Sequence, residues 1–168
     1  MVTLCLVDTE PKYTDEEWGL LVGLPQSVLI AASQAEADGS RRTREEWTAG
    51  MTTIADGRGS SSPLVAKVAD EVVARQGDVT HGDEPPVIEF PDREAGLADV
   101  ITRARSANEL LAGKAAPADA EAYRFWLVTL ADEVVGAART GGVLGLGGDQ
   151  VTPAERTFRD ELATALEV

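Results

Sequence analysis

In a helical chain, reactive side chains must recur at helical spacing before they can act together. The site a helix bundle builds most readily is a carboxylate-bridged metal pair, which takes Glu residues and a Glu-x-x-His from each of two helices. This chain has one histidine, His81, and it stands in a polar, Pro-rich stretch where a solvated or locally bonded imidazole is expected. A triad hydrolase needs a base beside its nucleophile, and one histidine without a Gly-x-Ser-x-Gly segment supplies none. Cys5, the lone cysteine, lies between Leu4 and Leu6 and reads as a small buried residue. A single cysteine makes neither an internal disulfide nor a Cys-rich zinc site.

Carboxylates are plentiful, in the runs Asp15-Glu16-Glu17, Glu45-Glu46, Asp70-Glu71 and Asp132-Glu133. Neighbours on a helix point roughly 100° apart, so adjacency makes no dyad and these read as solvated faces. Glu133 is set apart because it borders an apolar stripe of Tyr123, Trp126, Leu127, Leu130 and Val134 while Asp132 points away. A structural ion pair is expected for Glu133 ahead of a functional acid. The run Gly141-Gly142-Val143-Leu144-Gly145-Leu146-Gly147-Gly148 is no phosphate loop. It lacks the Lys-Ser/Thr ending, it follows a helix, and Asp149 would repel phosphate. A left-handed helix cap and a tight turn packed on the bundle explain it better. No residue is therefore assigned a catalytic, cofactor-binding or metal-ligating role, and no cofactor is expected.

The elements that would position any site are helices. Thr14-Asp15-Glu16-Glu17 is a capping box for a first helix carrying Trp18, Leu21 and Val22 on one face. Pro25 falls inside that pattern, so a kink or break is expected near Gly23-Leu24. Thr43-Arg44-Glu45-Glu46 predicts a second start, followed by Trp47, Met51, Ile54 and Ala55. Ser62-Pro63 opens a third helix with a stripe two columns wide, Leu64, Val68 and Val72 beside Val65, Ala69 and Val73. A fourth spans about Arg93 to Ala112, with Gly113 as its stop, and a fifth about Pro117 to Thr140. Phe125, Val128 and Val135 add a second apolar face to the fifth, which places it at the bundle centre or, as the alternative, at a homodimer contact. Thr152, Pro153 and Glu155 open the sixth. The prediction is an all-α bundle of five to six helices in a single domain over residues 1–168. Residues 1–13 form an N-terminal arm, and the polar Pro-rich stretch 77–92 serves as a boundary between helical halves or as a strap. The apolar pieces 2–7 and 87–90 read as irregular extended arms, with pairing between them as the alternative.

The formal charge of -14 argues against binding phosphate backbones and against docking on anionic lipid. Only three of the 15 basic residues are lysine, a bias that a GC-rich genome or salt adaptation would produce. No basic leader and no 18-residue apolar run is present, so the default setting is cytoplasmic.

The stretch Trp126-Leu127…Ala131…Val134…Ala137-Ala138, then Gly141-Gly142-Val143-Leu144-Gly145-Leu146-Gly147-Gly148, then Val151-Thr152…Glu155 resembles an uncharacterised prokaryotic family of small helical proteins. That family shows W-L-x-x-A-x-x-V-x-x-A-A, G-G-F-L-G-F-G-G and V-S-x-x-E. The opening EEWGLLVGLP is similar to its start. Val143 and Leu146 stand where the family tends to have Phe. The resemblance implies a helical fold and transfers no catalytic residue. The expected function is a non-enzymatic cytoplasmic interaction or regulatory protein, acting with a protein partner or as a homodimer. The alternatives are a ligand binder or enzyme with an inter-helix pocket lined by Trp18, Trp47 or Trp126, and an acidic decoy for a basic partner.

Overall fold

The computed structural model describes residues 12–35, 40–140 and 152–168. Six helices follow in order: α1 (Asp15–Gln34), α2 (Ser40–Asp56), α3 (Pro63–Gln76), α4 (Arg93–Lys114), α5 (Pro117–Thr140) and α6 (Pro153–Leu166). The chain is thus an all-α bundle, with no strand among the described residues. Residues 87–90 form no ladder, whereas the run 2–7 lies outside the described residues.

Helix starts fall where side chains can satisfy orphan amides. Thr14 Oγ1 accepts from Glu17 N at 3.2 Å while Glu17 Oε2 accepts from Thr14 N at 2.9 Å, and Thr152 and Glu155 repeat the exchange at α6. Ser62 Oγ accepts from Val65 N at the start of α3. The second helix start differs from the expected one at Thr43. α2 begins at Ser40, three residues ahead of Thr43, and Glu46 is buried at 1% exposure. α4 likewise runs through Gly113 to Lys114. Gly113 faces open space in an otherwise regular turn, so there it lowers propensity without stopping the helix.

α1 does not break at Pro25. It continues as one helix to Gln34. A proline has no N–H to give the carbonyl four residues earlier, here that of Leu21. The Tyr123 hydroxyl of α5 donates to Leu21 O at 2.7 Å and replaces the missing donor. Tyr123 is fully buried, and burial raises its phenol far above the ordinary tyrosine range, so it stays a donor. One turn on, Ser27 Oγ donates to Gly23 O and accepts from Arg103 Nη1 of α4 at 2.9 Å. α1 is thereby tied to α4 and α5 around the proline.

α1 and α5 are the central pair, each in contact with every other helix. Tyr123, Leu127, Leu130, Ala131 and Val134 of α5 are fully enclosed, which places this face of α5 at the bundle centre. Its apolar girdle is incomplete, however. Val128 and Val135 are buried, but Phe125 is 52% exposed. The crossing with α2 is close because of Gly50, where a Cβ would collide with Leu29 Cδ1 and come 2.9 Å from Val134 Cγ2.

The stretch after α3 is a strap. Gly77 and Gly82 take left-handed φ values of 102° and 92°, and a short helical turn spans Val79–His81. Asp78 holds this turn together. Its carboxylate accepts from Thr80 N and Oγ1, from His81 Nδ1 at 2.6 Å and from Arg58 Nη1 at 2.8 Å. Further along, Val87 and Phe90 pack on the core, and Phe90 N donates to Gln34 Oε1 of α1 at 2.7 Å. The Phe90 ring occupies the space a side chain at Gly96 would need.

Candidate functional site, a groove between α2 and α5

Outside the core, two helix faces meet along an open groove of about 660 Å³. α2 contributes Ala49, Thr52, Thr53 and Asp56, which share a face at spacings of three, four and seven residues, and α5 contributes Trp126, Thr129 and Glu133 at spacings of three and seven. The floor is the Trp126 indole. It fits under the end of α2 because residue 57 is glycine, where a Cβ would lie 2.8 Å from the ring. Tyr123 meets the same ring edge-on, with centroids 6.0 Å apart, and so links the floor to the buried centre.

The polar groups on the α2 wall are acceptors. Thr52 and Thr53 each spend their hydroxyl proton on the carbonyl one turn back, Thr48 O at 2.8 Å and Ala49 O at 3.0 Å. Their remaining capacity is lone pairs. Asp56 and Glu133 are exposed, and neither is engaged by another side chain among the described residues. Among the described residues, no lysine or arginine lines the groove. An aromatic floor, acceptor walls and two uncompensated carboxylates complement a donor-rich cation, above all a guanidinium that can stack on the indole.

The ion pair expected of Glu133 belongs to its neighbour. Asp132 accepts from Arg159 Nε at 2.9 Å and Nη2 at 3.3 Å, and that bond, more than the charge alone, raises the Arg159 guanidinium further. The reason is the side on which α6 lies: Asp132 points to it and Glu133 to the groove. The other runs also divide. Glu17 bonds Thr14 and Lys114, and the Lys114 bond, the largest cause, holds its carboxyl below the usual range. Glu71 accepts from Trp18 Nε1 at 2.6 Å and from Arg75. His81 lies exposed in the Asp78 cluster. The three tryptophans do not line one pocket. Trp126 floors the groove, Trp18 stands beside Tyr13 at the far end of α1, and Trp47 is buried in the core. Cys5 and the Gly141–Gly148 run lie outside the described residues. Sequence reading did not find the α2 wall, although threonines at positions 48, 52 and 53 ahead of Asp56-Gly57 are its visible trace.

No group of three or more potential metal ligands occurs among the described residues. No family model matches the chain, and no curated protein or solved structure matches it.

Proposed function

We propose that the chain is a non-enzymatic helical interaction module whose α2/α5 groove takes a segment of a partner protein bearing Arg or Lys. The observation that carries this reading is the groove's one-sided chemistry: Asp56 and Glu133 with no counter-ion among the described residues, above an indole floor. The overall charge of -14 adds long-range attraction for such a partner. Charge complementarity of this kind sets specificity and association rate more than raw affinity, which fits a regulatory contact. A cytoplasmic setting belongs to the same proposal. No helix among the described residues is long and apolar enough to cross a membrane.

The test is anisotropy with a labelled Arg-rich peptide and its Gln-substituted counterpart. The Arg peptide should bind at low salt and release as salt is raised to about 0.5 M, where exposed charges are screened. Two exposed charge pairs at about 0.2–1 kcal/mol each predict that Asp56→Asn with Glu133→Gln weakens binding about two- to thirtyfold. Equal binding of the two peptides by the unaltered protein would end the proposal. An Arg preference untouched by the paired substitution would move the site elsewhere on the surface.

A further inference from the structure

A second concavity, of about 340 Å³, lies at the end of the bundle where α1, α3 and α5 begin. It is separate from the α2/α5 groove and shares no lining residue with it. Tyr13 and Trp18 form its aromatic corner, their centroids 6.0 Å apart and their planes inclined by 31°. The indole is fixed in place because its N–H donates to Glu71 Oε2 at 2.6 Å, so the ring face stays turned to the cavity. Over that face sits Lys67 Nζ, 5.0 Å from the ring centroid. Lys67 pairs with no carboxylate among the described residues, and the ring face is the contact that holds its head group.

With no carboxylate in ion-pair range among the described residues, the ammonium is held on the indole by the ring's own quadrupole, in a field to which the nearby carboxylates add. The surroundings reinforce that preference. Asp15 and Asp119 line the cavity together with Lys12 and Lys67. With Lys67 swung into solvent, the described lining would hold two carboxylates and one lysine, a net negative charge. Burial first, then the charges of Asp119 and Glu17, raise the Tyr13 phenol, so negative potential reaches the aromatic corner itself. Lys67 is exposed on a flexible stem, and its departure would break no other contact described for its head group.

We propose that the Tyr13–Trp18 corner is a binding site for a small alkylammonium cation, and that the Lys67 side chain is its internal occupant. A ligand of this class carries a positive charge with an apolar skin, as methylated amines do. It would sit on the Trp18 face, with Asp15 and Asp119 supplying the counter-charge. Lys67 competes with it and sets the affinity.

The experiment follows the Trp18 indole N–H by NMR while tetramethylammonium chloride is added. Sodium chloride at equal concentration and tert-butanol, a neutral group of similar shape, are the controls. Unaltered protein and Lys67→Ala are compared, the substituted residue being exposed and outside the core. A saturable shift with tetramethylammonium is expected in both, tighter by about two- to fivefold in Lys67→Ala, the fold-change of an exposed cation–π contact. Asp15→Asn in the Lys67→Ala background should weaken it again. The proposal is overturned if either control shifts the signal as much as the cation does, if no saturable shift appears in Lys67→Ala, or if removing Lys67 leaves the affinity unchanged.

Discussion

The bond from Tyr123 to Leu21 can be isolated from every other effect of those residues. Tyr123→Phe keeps the ring and its packing and removes only the hydroxyl. In the unaltered chain this strands a buried carbonyl that Pro25 cannot serve, since the 2.7 Å contact replaces the absent helical donor. A buried polar group left unsatisfied costs about 1–3 kcal/mol. For a domain of this size that is a fall in Tm of roughly 2–12 °C. Pro25→Ala restores an N–H at position 25 aimed at the same carbonyl. In that background the hydroxyl is one of two donors, and its removal should cost only about 0.5–1 kcal/mol, the net worth of an ordinary hydrogen bond. Urea denaturation of the four proteins closes a double-mutant cycle, with an expected coupling of about 1–2 kcal/mol. Equal cost of Tyr123→Phe in both backgrounds would refute the idea that the tyrosine stands in for the proline's missing donor.

Three further outcomes follow from the same geometry. Gly50→Ala gains about 1 kcal/mol of helix propensity, but its methyl meets the fully buried Leu29 and Val134. Overpacking of about 1–3 kcal/mol should win, whereas Gly19→Ala, which meets nothing, should stabilise by about 0.5–1 kcal/mol in the same urea assay. Gly57→Ala should lift Trp126 off the α2 end, seen as a shifted Trp126 indole N–H and weaker Arg-peptide binding with the fold retained. Two groups set the pH limits. The Thr80 hydroxyl, followed by His81 and Arg58, depresses the Asp78 carboxyl. Its stabilisation is present above the unfolded value of about 4 and is lost as pH falls through the lower folded value. The stability gap between the unaltered protein and Asp78→Asn should therefore close on acidification. Burial raises the Tyr123 phenol, so its contribution holds below about pH 10 and fades above it, and phenolate absorbance from Tyr123 should appear only as the chain unfolds.

Much of the bundle was legible because helix signals are local. Thr14 with Glu17, Ser62 with Pro63 and Thr152 with Glu155 each lie within three residues of their partners, and all three caps form. The failures share one cause. Thr43 with Glu46 carries the same local pattern, yet Glu46 goes into the interior and the helix starts earlier. Pro25 carries a break signal, yet a hydroxyl 102 positions away along the chain offsets it. The groove was the least legible part, since Asp56 and Trp126 share no sequence neighbourhood and only the packing of α2 on α5 brings them together.

The sequence by itself determined an all-α bundle of five to six helices, the apolar stripe of α5, and a formal charge of -14. Those follow from spacing, capping and net charge, which are properties of short stretches or of the whole composition. Tertiary structure alone decided which carboxylate of Asp132 and Glu133 found an arginine, that Trp18 and Trp126 line separate concavities while Trp47 is enclosed, and which aromatic of α5 stayed exposed. Each depends on the angle at which one helix lies against another, and that angle is set by many small contacts at once.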